Sequence, residues 1–253
     1  MNNDLLNILG LSFIGSVAGL IGGVFFLLNK KFARVLSKYA VPFAAGVLLG
    51  VSLLHLIPES VEELGPNGYL VTLIAFIFSF LLEEYLAHLH HHEERGHTME
   101  HHASAPLVII GDSIHNFIDG VTIAAAYLTN PSFGVVVTLA TFLHETPHEI
   151  GDFGVLMARG WGRIKTFRAN FFSALATFPG ALFVYFLAQD SHKLVGILLG
   201  VSAGIFLYLG ASDFVPEIGE EKKGILAWKK FLLFITGSLI MYLMTKYSIG
   251  DSH

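Results

Sequence analysis

Eight runs of apolar residues, each about as long as a bilayer crossing needs, set the frame for this chain: about 4–28, 40–58, 68–88, 104–129, 133–158, 167–189, 193–215 and 225–247. Inside lipid, every backbone N–H and C=O must be paired within the chain, which leaves only helices or a closed barrel. Continuous apolar runs of this length suit helices, whereas barrel strands are shorter and alternate. The expected fold is therefore all-α: an integral membrane protein of eight helices forming one polytopic domain over 1–253. Charged residues make up 14% of the chain and hydrophobic ones 53%, against about 25% charged in soluble domains. By hydropathy the weakest runs are the third, which ends in Glu83 and Glu84, and the fourth, which has a polar centre. The first four residues, Met1-Asn2-Asn3-Asp4, hold no basic group, so the first run reads as a retained helix rather than a cleaved signal. There is no cysteine, which excludes disulfides and thiolate metal sites.

Basic residues give the orientation. Lys30, Lys31, Arg34 and Lys38 follow the first run, and Arg95 follows the third. Arg159, Arg163, Lys165 and Arg168 follow the fifth; Lys222, Lys223, Lys229 and Lys230 follow the seventh. These all fall on one side of an eight-span chain, and only Lys193 and Lys246 fall on the other. The positive-inside rule puts that side in the cytoplasm and both termini outside it.

Two of the runs carry polar groups that a lipid-facing helix does not tolerate. One reads Gly111-Asp112-Ser113-Ile114-His115-Asn116-Phe117-Ile118-Asp119-Gly120; the other reads His144-Glu145-Thr146-Pro147-His148-Glu149-Ile150-Gly151-Asp152. Asp119, Glu145 and Glu149 alone would cost on the order of 8–10 kcal/mol at mid-bilayer if unpaired. A bound cation offsets such a cost most simply. His115 and Asp119 lie four residues apart on one helix face, as do His144 and His148, and Glu145 and Glu149. A mixed imidazole and carboxylate set suits a borderline divalent ion. Pro147 removes one backbone hydrogen bond and should kink its helix, freeing the Leu143 carbonyl. Three carboxylates beside neutral histidines leave about three negative charges for one or two divalent ions or for protons.

Other features carry less. Glycines recur four apart at Gly15/Gly19/Gly23, Gly46/Gly50 and Gly196/Gly200/Gly204, a spacing that lets membrane helices approach closely. His55-Leu56-Ile57-Pro58-Glu59 and Asp213-Phe214-Val215-Pro216-Glu217 echo one another in spans of opposite direction, as in an inverted repeat relating spans 1–3 to 6–8. The segment 89–103 forms a His-rich cytoplasmic loop, in which His90, His91, His92, His97, His101 and His102 are candidate metal ligands.

His144-Glu145-x-x-His148 also matches the H-E-x-x-H pattern of zinc metalloproteases, where the glutamate acts as general base. An intramembrane protease is thus an alternative from another class, and a channel or a metal-sensing membrane protein with the same site is a third. Against the protease, Pro147 interrupts a pattern that needs a regular helical turn, and there are more ligands than one catalytic zinc uses.

The pair His115-Asn116-x-x-Asp119-Gly120 and His144-Glu145-x-Pro147-His148-Glu149-x-Gly151-Asp152 resembles the signature of the ZIP (zinc/iron-regulated transporter-like) metal transporters, in particular the LIV-1-like branch. Eight spans, both termini outside, a His-rich loop after the third span and His-x-x-Pro-Glu in the second add to the resemblance. It implies a binuclear site between spans 4 and 5. His115, Asp119, His144, Glu145 and His148 would form the primary transport site. Asn116 would join Glu145 and His148 in an auxiliary one, with Glu149 beside them. It also implies a homodimer at the cell membrane, not an enzyme, that moves a divalent metal into the cytosol by an elevator-like motion. Zn2+ is the expected substrate, and Fe2+, Mn2+ and Cd2+ suit the same ligands. No organic cofactor and no nucleic acid is expected, and no nucleotide-binding motif is present. Asp112, Asp152 and Asp213 receive no role.

Overall fold

The computed structural model describes residues 3–91, 105–188, 190–219 and 225–250. These residues form eight helical rods. They are α1 (Asn3–Leu28), α2 (Lys30–Leu64), α3 (Asn67–His91), α4 (Ala105–Thr129), α5 (Pro131–Ala158), α6 (Arg163–Leu187), α7 (His192–Tyr208, continued below) and α8 (Ile225–Gly250). Seven are long and apolar enough to cross a membrane. The one that falls short is α5. This corrects the expectation that the third and fourth runs would be the weakest. The reason is local: the C-terminal half of α5 concentrates His144, Glu145, His148, Glu149 and Asp152 within nine positions.

The helices begin and end where polar contacts allow. The second rod starts at Lys30, ten residues before its apolar run. Asn29 caps it, its side-chain oxygen accepting from the backbone N–H of Lys31 and Phe32 at 3.1 Å each, so a polar first turn extends the helix out of the apolar run. Asn130 caps α5 in the same way, accepting from Ser132 N at 2.8 Å, with Pro131 at the first helical position, where its missing N–H costs nothing. Beyond Pro131, α5 continues as α-helix through Pro147 to Ala158.

Packing sorts the rods into two groups. One comprises α1, α4, α5 and α6; the other comprises α2, α3, α7 and α8. The groups meet chiefly where α2 touches α5 and α4 touches α7. Thr122 of α4 donates to Ser202 of α7 at 2.7 Å across that seam. The glycine spacings are used for close approach. A Cβ on Gly22 would collide with the Thr146 carbonyl oxygen, one on Gly46 with that of Phe234, and one on Gly204 with that of Thr72. Gly120 and Gly180 similarly face the backbone of each other's helix, locking α4 to α6.

Four rods depart from regular α-geometry. A 3-10 turn over Val17–Leu20 interrupts α1. At residues 175–176, between Arg163–Ala174 and Thr177–Leu187, α6 breaks. A π-helical turn over Ser52–Leu56 widens α2 just before Pro58. Another, over Leu209–Phe214, carries α7 on into a last turn, Val215–Gly219, that holds Pro216. A proline ring crowds the carbonyl four residues back, here Leu54 and Ser212, and a widened turn relieves that contact.

Candidate metal centre

Two helices supply the centre. On α4, Asp112, His115, Asn116 and Asp119 share one face; on α5, His144, Glu145, His148, Glu149 and Asp152 do. The α1 backbone is pressed against α5 at this level: a Cβ on Gly19 would stand 2.7 Å from Glu145 Cβ. That approach excludes other side chains from the α1-facing flank of Glu145. Phe206 of α7 lies edge-on to His144, with ring centroids 5.3 Å apart.

Four expected residues converge. Ligand atoms of His115, Asp119, His144 and Glu145 all lie within 4.8 Å of one another. His115 Nε2 stands 2.9 Å from Glu145 Oε1 and 3.1 Å from His144 Nε2. Asp119 Oδ2 lies 3.5 Å from His144 Nε2 and 3.7 Å from His115 Nε2. The tautomer of His144 follows from its helix: Nδ1 sits 3.0 Å from the Ala140 carbonyl, an acceptor, so Nδ1 carries the proton. Nε2 then presents a lone pair to the cluster. Asp119, His144 and Glu145 are fully buried, and neither oxygen of Asp119 accepts a hydrogen bond. A buried carboxylate left this way costs several kcal/mol, and converging lone pairs attract a cation.

The remaining expected ligands are placed differently. Both oxygens of Glu149 are buried and accept no hydrogen bond. Glu149 groups with Glu145 and Asp112, again within 4.8 Å. His148 stacks on His115 at 5.0 Å between ring centroids, and groups with Asp112 and Asp152. The side-chain oxygen of Asn116 accepts from Ser16 and, at 3.3 Å, from Thr177, while its amide donates to Asp112 Oδ1 at 2.8 Å. So Asn116 ties the break in α1 to the break in α6 rather than facing the four-residue cluster. His55 of the Pro-Glu motif lies 3.0 Å from the Met241 carbonyl and stacks on Phe133, apart from every group named here. The candidate loop ligands His92, His97, His101 and His102, and the side chains of His90 and His91, lie outside the described residues.

Asp112 and Asp152, two of the three acids that sequence reasoning left without a role, lie at this centre. The signal was available. Asp112, His115 and Asp119 follow the i, i+3, i+7 spacing of a single helix face, and His148 and Asp152 repeat the i, i+4 spacing of the row before them.

Comparison with known proteins is now decisive. The family model for ZIP zinc transporters matches residues 5–106 and 88–245. The chain belongs to the ZIP family. Its paired motif places it in the LIV-1-like branch, and it is a multi-pass membrane protein. Among relatives, the zinc transporter foi of Drosophila melanogaster is 37% identical over 153 residues, 59% of this chain and 21% of that protein. Zinc transporter ZIP10 of Homo sapiens is 33% identical over 150 residues, 56% of this chain and 18% of the relative. Zinc transporter zipt-7.1 of Caenorhabditis briggsae is 27% identical over 254 residues, 76% and 64% respectively. The matched stretch is thus only a fifth or so of the first two relatives. ZIP proteins are transporters, so membership of the family does not favour the peptidase reading of His144-Glu145-x-x-His148.

Proposed function

We propose that this chain carries zinc across the cell membrane into the cytosol. The convergence of His115, Asp119, His144 and Glu145 near the middle of two packed helices carries this reading. A four-coordinate nitrogen and oxygen site with no thiolate holds zinc yet can release it. Fe2+, Mn2+ and Cd2+ fit the same donors. Glu145 is shared with Asp112 and Glu149, which supports a binuclear centre between α4 and α5. Asn116 joins that second position if its carboxamide turns away from Ser16 and Thr177.

Motion follows from the packing. The group α1, α4, α5 and α6 holds every proposed ligand, and α2, α3, α7 and α8 form the body it would slide against, as an elevator requires. The inverted repeat is supported by the paired irregularities: breaks in α1 and α6, and π-helical turns before proline in α2 and α7. Unwound segments at matched positions are typical of such repeats. The basic residues favour both termini outside, and the bilayer and a second copy of the chain are the expected neighbours.

Reconstitution in sealed vesicles with a trapped zinc indicator tests the proposal, comparing the wild type with Glu145→Ala. Saturable entry that vanishes in the variant is the expected result. A variant that transports at the wild-type rate would overturn the assignment.

A further inference from the structure

The four-residue cluster does not include Asp112, His148 or Asp152, yet the structure gathers these three as well. Their ligand atoms lie within 4.8 Å of one another. Asp112 is 2% exposed, and its Oδ2 accepts no hydrogen bond. His148 Nδ1 and Asp152 Oδ2 stand 3.8 Å apart, beyond hydrogen-bond range, and neither has another hydrogen-bond partner. The three groups converge, and each has a side-chain atom without a hydrogen-bond partner, one of them on a carboxylate excluded from water; such a site suits a cation.

Position adds to this. Asp112 lies seven residues before Asp119 on α4, and Asp152 lies eight after His144 on α5, each about 10–12 Å along its helix. The two helices are antiparallel, joined at Asn130, so both displacements run toward the same end. On the orientation proposed above, that end is cytoplasmic. Exposure rises in the same direction. In the main cluster Asp119, His144 and Glu145 are wholly buried and His115 is 11% exposed, whereas in the trio Asp112 stays buried and Asp152 and His148 reach 15% and 23%.

We propose that Asp112, His148 and Asp152 form a separate divalent-cation position that receives the ion after it leaves the main cluster. Asp112 is the hand-over group. Its carboxylate lies within ligand reach of Glu145 and Glu149 on one side and of His148 and Asp152 on the other. The ion moves by exchanging one set of partners for the other while Asp112 stays bound. A cation that leaves in such steps is never stripped of all its ligands in a low-dielectric interior, where an unpaired charge is most costly. One imidazole and two carboxylates make this position harder than the main cluster, with its two imidazoles, so it holds zinc less tightly and lets it go. The inference rests on the transport reading for its direction, but not for its existence.

The test uses the purified full-length chain and Cd2+ as probe. His144→Ala disables the main cluster. Equilibrium dialysis of that variant should retain a bound Cd2+ that disappears in His144→Ala/Asp152→Asn and returns in His144→Ala/Asp152→Glu, which keeps the carboxylate. In vesicles, Asp152→Asn alone should lower maximal zinc uptake about tenfold with little change in KM, because capture occurs at the main cluster. If His144→Ala and His144→Ala/Asp152→Asn bind Cd2+ equally, the trio is only an ion pair beside a buried acid and the proposal fails. Unchanged turnover in Asp152→Asn, with Glu145→Ala inactive, also overturns it while leaving the transport reading intact. Absence of zinc entry in the wild type would instead defeat the transport reading, and the dialysis series would still decide whether the position exists.

Discussion

His115 Nε2 and His144 Nε2 face each other at 3.1 Å across the seam between α4 and α5. The Ala140 carbonyl holds the proton of His144 on the far side of its ring, so one member of the pair is fixed as an acceptor. A metal between them uses both lone pairs. Replacing His144 by alanine should reduce zinc uptake to background. The loss should exceed the roughly 10–100-fold typical of removing a mere outer partner of a metal ligand. Membrane insertion should remain normal, since removing a polar ring makes a membrane helix less costly to insert. Uptake in vesicles alongside a surface or fractionation assay checks both parts.

Acid should weaken the site. Zinc requires neutral imidazole nitrogens, and protons compete for them. As pH falls, apparent zinc affinity should therefore fall. With two imidazoles in the cluster, the decline approaches two decades per pH unit once both titrate together. Zinc titrations between pH 8 and 5 would show it, and an affinity independent of pH would argue against imidazole ligands. Protonating the carboxylate ligands works in the same direction.

The tight approach of α1 to α5 sets up a third expectation. Gly22 has no room for a side chain beside the Thr146 carbonyl, and Gly19 none beside Glu145, whereas a Cβ on Gly10 meets nothing within 4 Å. Gly22→Ala should therefore destabilise the protein by about 1–3 kcal/mol or more through overpacking and shift α5 enough to impair uptake. Gly10→Ala should be neutral. Thermal denaturation in detergent separates the two; equal midpoints would mean that the contact relaxes freely.

Much of this was legible in the sequence because lipid leaves a chain few choices. The eight rods follow from apolar runs, and helical spacing puts His115 with Asp119 and His144 with His148 on single faces; the meeting of the two faces came only from the family resemblance, which also placed His148 in the first cluster, where the structure does not. What the sequence did not reveal has physical causes. Lys30 to Tyr39 is too polar to register as a span, yet Asn29 caps it into α2. Asp112 and Asp152 were visible as acids, but their role depends on how α4 and α5 register against each other, and no single helix encodes that. The orientation of Asn116 could not be read at all, because its partners Ser16 and Thr177 lie 100 and 61 residues away.

Asn116 is the residue for which ligand and tether make opposite predictions. As a tether it accepts from Ser16 and Thr177, each at a break in its rod; its loss leaves both hydroxyls only the Ala174 carbonyl, at 3.4 Å and 2.9 Å, and strips Asp112 Oδ1 of its donor, a cost of about 1–3 kcal/mol. Ser16→Ala/Thr177→Val removes those donors while leaving Asn116 in place. If Asn116 is a tether only, Asn116→Ala should lower the melting temperature but leave zinc stoichiometry unchanged. The double variant should also melt lower, since it leaves the buried Asn116 oxygen without a donor, and it too should keep the wild-type zinc stoichiometry. If Asn116 also binds the second metal, Asn116→Ala should lose one zinc per chain, whereas Ser16→Ala/Thr177→Val, by freeing its oxygen, should bind that zinc at least as tightly as the wild type. Zinc stoichiometry measured on the three proteins, with their melting curves, decides between the roles.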